Sequence, residues 1–513
     1  RRNTAFQRYL KVGESFAFFM ELSTHHFLQH VFNEMHLTRE RIMEEIGDHG
    51  HLIWNPHEFI GRYGAGAQPV CAQLQGVYQN CRRSLDLPTH PAEDRPQVTD
   101  YQRRKDFLAA LVAHFAPRSM RPTPSQNQGA TDMERLVGEQ TGVLNHYRRT
   151  LTRYLRKTLF LHHRKKIGGL VANTLHLATT LHHRRIALRD LKPENLLVVG
   201  RGDNFPDFLK RRRDFRLGLI DLETATAQKD GGDGDELLSP PKPGGTPLYA
   251  TPSHFLRFET LERIYGDPFE ILMEQDWYAV IAICFRAVTG EHLWDGTAGL
   301  FPAMVEMMAG ADSDYDSDDP EGFGGFFSKL SWVFWSNARM EFRDKLHKHR
   351  PSLSRVRVEL APACAEAIGA RIDRRIRSLN GDVKSLMGAH EKLGEVVHHL
   401  QLTDATSEQI RLLRTTWEMD ATDDSKSAFL LTDRFRELEG LTQNLETLEQ
   451  GRELFENPTD GIDAGGIDLI PLLTVLFAHC LSLMYKGSWK GLGHRRIDWH
   501  EALMDEPSYT QTL

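Results

Sequence analysis

The chain has few cysteines and no arrangement of them that would define a site. Its 513 residues contain five, at positions 71, 81, 284, 364 and 480, and no two form a C-x-x-C pair. An odd, scattered set of thiols argues against a disulfide framework and predicts reduced cysteines in a cytoplasmic protein. The net charge of −7 gives no overall attraction to nucleic acid or to anionic membranes, so we expect neither as a partner.

The chain also shows no signal-peptide hydrophobic region. It begins Arg-Arg-Asn without a Met, and we interpret it as a piece of a longer protein. Residues 469–485 carry no Asp, Glu, Lys or Arg, but they are short for a membrane span of about 20 residues. We therefore predict a buried helix there rather than a membrane segment.

What remains is the composition of a globular protein of two to four domains, with 40% hydrophobic and 26% charged residues. The apolar runs 196–199 and 217–220 flank a polar loop and predict a small β-hairpin. Helical patterns cover much of the rest, in residues 35–130 (short pieces), 132–185, 253–305 and 352–455.

Two patterns invite a metal-site interpretation, and we do not favour it for either. Residues 312–321 alternate Asp with other residues but lack the Gly at the sixth and the Glu at the twelfth position of a calcium loop, so we predict a solvated acidic loop. Adjacent histidines point to different sides of a helix, so we predict surface roles for the four pairs at 25–26, 162–163, 182–183 and 398–399.

The most informative run is Leu188–Asn195, which reads Leu-Arg-Asp-Leu-Lys-Pro-Glu-Asn. It puts Asp190, Lys192 and Asn195 on one loop between a predicted helix and a predicted strand. Phosphoryl transfer uses such a set: a carboxylate orients the acceptor hydroxyl, an ammonium neutralises the moving phosphate and an amide oxygen holds a metal. Asp221 follows the next apolar run, where a second metal-binding carboxylate belongs.

Two further motifs follow in order. Residues 245–253 read Gly-Thr-Pro-Leu-Tyr-Ala-Thr-Pro-Ser, and Asp276-Trp277-Tyr278 opens an apolar helix. Over residues 160–300 this ordered set resembles the C-terminal lobe of eukaryotic-like Ser/Thr protein kinases. The resemblance implies an α+β, protein-kinase-like fold with a mainly helical C-lobe. It also implies transfer of the γ-phosphoryl group of Mg-ATP to Ser or Thr hydroxyls of a protein substrate.

By this resemblance, Asp190 is the catalytic carboxylate, and Lys192 contacts the γ-phosphate. Asn195 and Asp221 would bind Mg²⁺. Glu21 and Leu22, at the hinge between lobes, and Leu197, in the strand after the loop, would contact ATP.

The resemblance also assigns supporting roles. Arg189 would pair with a phosphate on the activation segment, residues 221–252, whose earlier hydroxyls are Thr224, Thr226 and Ser239. Thr246 would brace Asp190 and Lys192, and Asp276 would tie the central helix to the catalytic loop.

Several residues depart from the family pattern. Leu188 stands where the family has a packed His, and Leu222 where it has Phe, so both are expected to keep the apolar packing. Glu223 replaces a Gly and brings a negative charge near the metal ligands, where it would tune metal affinity or point to solvent. Ser253 replaces a Glu that normally anchors the end of the activation segment, and Ile281 replaces a helix Gly.

The N-lobe motifs of the family are not all found. We interpret residues 1–34 as a remnant of the N-lobe and hinge, with the first helix after the hinge in residues 23–32. Residues 35–150 are then a helical insertion, 151–350 the C-lobe and 351–513 a helical C-terminal extension. A rival interpretation uses Gly61–Gly66 as the phosphate-binding loop, although its glycine order is G-x-x-G-x-G and no Val-Ala-x-Lys follows.

Two alternatives to a protein kinase stay open. A pseudokinase would use the fold and the C-terminal helices as a binding module. This alternative is disfavoured because the chain retains Asp190, Lys192, Asn195 and Asp221. A small-molecule phosphotransferase is the other, and the Gly-Thr-Pro-x-Tyr-x-x-Pro segment argues against it because protein kinases use that segment to hold a peptide.

Overall fold

The computed structural model describes residues 26–86, 99–116, 128–200, 209, 212–228, 243–314, 320–389, 407–420, 426–456, 466–485 and 497. Over these residues the protein is mostly helical with a few short strands, as an α+β class predicts. Contacts divide the chain into a smaller unit, residues 32–164, and a larger unit, residues 1–31 with 165–513.

The helices are numbered along the chain. The first seven are α1 (Leu28–Met35), α2 (Arg39–His49), α3 (Pro56–Tyr63), α4 (Gln68–Asp86), α5 (Asp100–Phe115), α6 (Gln128–Gly138) and α7 (Thr141–His183). The later ones are α8 (Phe258–Tyr265), α9 (Pro268–Thr289), α10 (Asp295–Ala298), α11 (Phe301–Asp314), α12 (Pro320–Leu353), α13 (Pro362–Ala389), α14 (Ser407–Asp420), α15 (Lys426–Glu456) and α16 (Leu469–Met484). The strands are β1 (His26–Phe27), β2 (Ile186–Ala187), β3 (Leu196–Gly200), β4 (Phe215–Leu219), β5 (Thr226–Ala227), β6 (Arg357–Val358) and β7 (Ile467–Asp468).

The smaller unit is a helical cluster around its own apolar core. Helix α5 packs against α2 and α6, and α4 packs against α3 and α6. The core includes Ile46, Phe59, Leu74, Phe107 and Tyr147, all nearly inaccessible to solvent. Each of these helices contributes one apolar stripe, which is how short amphipathic helices without a sheet bury their surface.

The rival phosphate-loop interpretation of Gly61–Gly66 is wrong. Gly61 lies inside α3, Gly64 ends that helix with φ +92°, and a 3₁₀ turn follows at Ala65–Ala67. The segment therefore has no strand on either side.

Helix α9 is the central element of the larger unit, and its residues from Pro268 to Val288 are buried, except for the half-buried Glu270. Its sequence is apolar on all sides, which is typical of a helix enclosed by other elements. The side chain of Asp267 caps its first turn by accepting from the Glu270 N–H at 3.0 Å. Gly290 ends it in the left-handed conformation, with φ +71°.

Helix α12 and the C-terminal helix α16 pack against α9. Helix α16 also packs against α15, and α13 packs against α15. The predicted buried helix at residues 469–485 is confirmed, since most of α16 is inaccessible to solvent. In the described part of the chain, no helix combines the length and the apolar character needed to cross a membrane.

The strands form small antiparallel sheets. The predicted hairpin is confirmed: β3 pairs with β4, with Leu196 opposite Leu219 and Leu197 opposite Gly218. Strand β1 joins the other edge of β3, with Phe27 opposite Leu197. The predicted start of the helix at residue 23 is wrong, because His26 and Phe27 use their backbone groups in this pairing and α1 begins only at Leu28. Strand β2 pairs with β5, and β6 pairs with β7.

A buried ion pair joins α9 to the C-terminal helices. Glu274 of α9 pairs with Arg371 of α13, and its second oxygen lies 3.3 Å from Nδ1 of His479 in α16. The Arg371 guanidinium also covers the Trp277 ring at 4.3 Å. Burial opposes ionisation of Glu274, but Arg371 and His479 outweigh it and hold the pKa of that carboxyl below its usual value.

We predict that Glu274→Ala destabilises this helical core by about 3–5 kcal/mol, because it leaves the buried Arg371 charge without its partner. The measurement is hydrogen exchange of α9 and α13 peptides. Glu408→Ala is the matched control, since it breaks the exposed Glu408–Arg411 pair and is expected to cost less than about 1 kcal/mol. Similar losses of protection in both variants would contradict the importance of the Glu274 pair.

Candidate active site

The run Leu188–Asn195 lies between β2 and β3, and residues 193–195 form a 3₁₀ turn. Arg189 has φ +67°, a conformation that costs energy for a residue with a side chain. The loop therefore needs an outside constraint to keep its shape. Asp276 of α9 supplies it: its two oxygens accept the N–H groups of Leu188 at 2.7 Å and of Arg189 at 2.8 Å.

Asp276 is almost fully buried. Burial raises the pKa of its carboxyl to about 7, against the opposing effect of the two amide hydrogen bonds and of the Arg189 charge. The helix and the loop are thus joined by a group that has almost no access to bulk water. The link that the sequence predicts between the central helix and the loop is present.

The Arg189 side chain is also buried, with 2% of its surface exposed. Its Nε donates to Oε1 of Gln275 at 3.2 Å, and its Nη2 donates to the carbonyl of His254 at 3.0 Å. Burial lowers the pKa of the guanidinium to about 10, although Asp276 favours the charged form. In this structure Arg189 therefore holds the segment around His254 to α9, instead of facing solvent where an activation-segment phosphate would meet it.

Asp190 receives hydrogen bonds on both carboxylate oxygens. Lys192 Nζ donates to Oδ2 at 2.6 Å, and the Thr246 hydroxyl and N–H donate to Oδ1 at 2.7 and 3.2 Å. Burial acts to raise the pKa of Asp190, but the hydrogen bonds from Lys192 and Thr246 outweigh it, so the pKa lies below its usual value. The carboxylate is therefore ionised at neutral pH.

The Thr246 hydroxyl serves both charged groups, since it donates to Asp190 and accepts from Lys192 Nζ at 3.0 Å. The bracing contact that the sequence predicts is present. The residue before it has to be small: a Cβ on Gly245 would come within 2.8 Å of the His254 ring and 3.3 Å of the Ala250 Cβ. Gly245 thus allows the segment to approach closely enough for Thr246 to reach the loop.

Asn195 is fixed from within the same loop. Its amide Nδ2 donates to the carbonyl of Asp190 at 3.0 Å and to Asp190 Oδ2 at 3.2 Å, and its own carbonyl accepts from the Ile220 N–H at 3.1 Å. Among the described residues no donor bonds to its Oδ1. That oxygen is the atom with which an Asn side chain binds a hard cation.

Asp221 lies two residues after the end of β4 and has φ +57° with an exposed side chain. An amide oxygen and an exposed carboxylate next to it along the β-hairpin fit Mg²⁺, which usually takes one or two protein oxygens and completes its shell with water and phosphates. Within the described ranges there is no group of three or more His, Cys, Asp or Glu side chains that would hold a metal without such help.

The residues that depart from the family pattern differ in how far they are buried and in what they contact. Leu188 is buried, as its expected packing role requires. The expectation that Leu222 keeps the packing of a Phe is wrong, because 53% of its surface is exposed. Glu223 is exposed as well. Ser253, in place of the anchoring Glu, accepts a hydrogen bond from Gln275 Nε2 at 2.9 Å.

Two of the activation-segment hydroxyls are already used inside the structure. Thr224 donates to the carbonyl of Leu188 at 2.7 Å, and Thr226 is 3% exposed in β5. Ser239 lies outside the described residues. The arrangement therefore gives no support to phosphorylation of Thr224 or Thr226 as a way to engage Arg189.

The nucleotide contacts named from the sequence are only partly described. Leu197 is half-buried in β3 between Phe27 and Gly218. Glu21 and Leu22 lie outside the described residues.

Some residues of the site were missed in the sequence. Gln275 bonds both Arg189 and Ser253, and Arg286 Nη1 donates to the Tyr249 hydroxyl at 2.8 Å, so both fix the 246–255 segment onto α9. Polar residues inside a helix that is otherwise apolar were the available signal. The partners of those residues are distant in the chain and could not be read from it.

The two histidine pairs that the structure describes are less exposed than predicted. Their members do differ in environment, since His162 and His183 are exposed whereas His163 is buried and His182 half-buried. The surface role is therefore wrong for His163 and His182. Residues 315–319 of the acidic stretch 312–321 lie outside the described residues. Residues 312–314 end α11 and residues 320–321 begin α12, so the predicted loop is wrong for these two ends.

Comparisons with family models, with curated proteins and with solved structures gave no match to this chain.

We predict that Thr246→Val raises the pKa of Asp190, because the carboxylate loses its 2.7 Å hydroxyl donor. Thr246→Ser keeps that donor and is expected to leave the pKa unchanged. Both are measured by carbon NMR titration of the labelled aspartate carboxyl. An Asp190 pKa that is equal in the Val variant and the wild type would contradict this role of the hydroxyl.

The same hydrogen bonds predict how stability depends on pH. The pKa of Asp190 is depressed in the folded state, so the unfolded state takes up a proton first as the pH falls. The stabilisation from Asp190 is thus complete above its unfolded pKa of about 3.9 and is lost as the pH falls through the folded value. We expect the acid-induced loss of stability to be smaller in Asp190→Asn than in the wild type, as measured by denaturant unfolding at successive pH values.

Proposed function

We propose that this chain has a protein-kinase-like fold and acts as a Ser/Thr protein kinase, transferring the γ-phosphoryl group of Mg-ATP to protein hydroxyls. The single observation that carries the proposal is the hydrogen-bonded set Asp190, Lys192 and Thr246, joined to Asn195 on a loop that α9 holds through Asp276. The five buried, unpaired cysteines suit the reducing cytoplasm in which we place the protein.

Asp190 would orient the acceptor hydroxyl. A carboxylate with a depressed pKa is a weak base, so it removes the proton only as the new oxygen–phosphorus bond forms. Its main contribution is then to hold the hydroxyl oxygen in line with the phosphorus. The hydrogen bonds from Thr246 and Lys192 fix the carboxylate plane for that purpose.

Lys192 would stabilise the charge that develops on the transferred group. Its ammonium lies 2.6 Å from Asp190 and 3.0 Å from the Thr246 hydroxyl, and 21% of its side chain is exposed. It is therefore held in place before substrate binds, and electrostatic stabilisation is most effective when the charged group need not reorganise.

Asn195 and Asp221 would hold Mg²⁺, and Leu197, Glu21 and Leu22 would contact the nucleotide. Bound Mg²⁺ would neutralise charge on the ATP phosphates. Asn195 is suited to the task because its amide nitrogen is bonded to Asp190, which leaves the oxygen side of the amide for the cation.

The segment 246–255 favours a protein as the substrate. It is fixed to the rest of the site through Tyr249, Ser253 and the His254 carbonyl, so it offers a firm surface beside Asp190 on which an extended peptide would lie. Lys192 followed by Pro-Glu is the Ser/Thr form of the loop in the family that the sequence resembles.

A scaffold that keeps the fold without catalysis is the second candidate, and one observation favours it. Asp221 and Leu222 are both exposed, so the metal-binding carboxylate is not held by packing of its neighbour. Such a protein would use the helices α13–α16 to bind a partner.

The test is phosphate transfer from labelled Mg-ATP to a mixture of Ser- and Thr-containing peptides by the purified chain. We expect Asp190→Asn to reduce transfer by roughly 10²–10⁴-fold, because it removes the group that positions the hydroxyl and accepts its proton. Asp221→Asn is expected to reduce it as well and to raise the Mg²⁺ concentration needed for half-maximal transfer.

Glu259→Gln is the matched control, since it removes an exposed carboxylate from α8 that has no part in the site. Equal incorporation in the wild type and Asp190→Asn would contradict the assigned chemistry. Saturable binding of Mg-ATP without any transfer would favour the scaffold.

A further inference from the structure

A polar cavity lies among helices of the larger unit, with a volume of about 190 Å³. Its lining includes His182 at the end of α7, Glu270 of α9, His479 of α16 and four residues of α13. The cavity is far larger than the roughly 10–15 Å³ that one water needs. None of these residues belongs to the candidate active site.

Helix α13 makes the cavity basic. Arg371, Arg374, Arg375 and Ser378 follow one another at spacings that place them on one face of the helix, and all four line the cavity. Three arginines thereby line one small space. Guanidinium groups that are buried or half-buried, as those of Arg371 and Arg375 are, need a polar or negatively charged partner.

The protein itself supplies only part of that partner. Arg371 is paired with Glu274, and Arg375 donates to the hydroxyl of Ser482 at 2.8 Å and to its carbonyl. Arg374 is exposed at the cavity, and it makes no hydrogen bond or ion pair with the described residues. Its charge is therefore available to a ligand.

The lining itself carries more positive than negative groups. It contains three arginines and one carboxylate, that of Glu270, whereas Glu274, Asp267 and Asp382 lie close by outside the lining. The two histidines of the lining add no charge. Burial keeps them neutral, because it lowers the pKa of His182 to about 3 and also lowers that of His479. Burial and the neighbouring Glu274 and Asp267 raise the pKa of Glu270, which favours its uncharged form when an anion is near.

His182 gives a second, independent sign of a missing ligand. Its Nδ1 is buried and has no hydrogen-bond partner among the described residues, although the ring lines the cavity. A buried polar atom without a partner costs about 1–3 kcal/mol. A ligand oxygen that accepts from this nitrogen would remove that cost.

We propose that this cavity binds a phosphate group, either free or as the monoester of a small metabolite. A guanidinium donates two parallel hydrogen bonds to phosphate oxygens, and Arg374 and Arg375 stand one residue apart on the helix face that lines the cavity. Ser378 and His182 add neutral donors at the same cavity. This set of donors suits a phosphate, which has several oxygens and a negative charge, better than it suits a neutral ligand.

The position suggests what occupancy would affect. Three consecutive residues of α9 connect the cavity to the loop. Glu274 pairs with Arg371 at the cavity, and the next residue, Gln275, accepts a hydrogen bond from Arg189. Asp276 follows and accepts from the loop amides. A phosphate that competes with Glu274 for Arg371 would act on the helix that holds the loop. Binding itself does not depend on the proposed kinase activity.

The test is calorimetric titration of the full chain with inorganic phosphate at constant ionic strength. We expect saturable binding by the wild type and at least about tenfold weaker binding by Arg374→Glu, since the new carboxylate repels the anion. Arg377→Glu is the matched control: Arg377 is exposed on the same helix, three residues further on, but does not line the cavity. It is expected to bind as the wild type does.

A second variant tests the orphan nitrogen. His182→Phe keeps a ring of similar size but removes Nδ1, and we expect it to weaken phosphate binding. In every variant, sodium acetate is expected to compete poorly with phosphate for the cavity. Titration with glycerol 3-phosphate separates the two sources, because a metabolite site binds the monoester more tightly and a free-phosphate site does not. Absence of saturable phosphate binding by the wild type, or equal affinity in Arg374→Glu and Arg377→Glu, would overturn the site.

Discussion

The Asp276 carboxylate accepts hydrogen bonds from two backbone amides, and the rest of the site depends on this interaction. It holds Leu188 and Arg189 in a conformation that Arg189, with φ +67°, would not keep unaided. A buried carboxylate is itself costly, and the two amides and the Arg189 charge offset only part of that cost, since the pKa of Asp276 is still raised to about 7. Since α9 is enclosed on all sides, Asp276 has little freedom to follow a moving loop, so the loop must conform to the helix.

Neighbouring residues of α9 extend this constraint in two directions. Gln275 bonds the Arg189 guanidinium and Ser253, and thus places the 246–255 segment relative to the loop. Glu274 faces Arg371 and His479, and thus fixes the C-terminal helices against the same helix. Three polar residues in an apolar helix each satisfy a different part of the larger unit. This arrangement specifies one packing, because any rotation of α9 would leave buried polar groups without partners.

The sequence predicted the parts of the site that are local or carried by long motifs. The β3–β4 hairpin follows from two apolar runs, and the buried α16 follows from its uncharged stretch. The contacts of Thr246 and Asp276 with the loop were expected only through a resemblance. The Arg371–Glu274 pair joins residues 97 positions apart and the Gln275–Arg189 bond residues 86 apart, and no periodicity encodes such partners. Exposure of Leu222 was missed because residue type alone does not reveal whether a packing partner is present.

The two expected metal ligands differ in how far the protein prepares them. Asn195 is fixed by two bonds to Asp190 and by the bond from Ile220 to its carbonyl, so it shares the rigidity of the loop. Within the part of the chain that the structure describes, Asp221 is attached to this arrangement through its neighbour Ile220, and its own side chain is exposed. A cation bound by both side chains would have to order Asp221, which costs conformational entropy. Asn195 is already fixed, so binding through its oxygen carries no such cost. Of the two proposed functions, the kinase therefore requires more of Asp221 than of Asp190 and Lys192, because hydrogen bonds among Asp190, Lys192 and Thr246 already fix those two side chains.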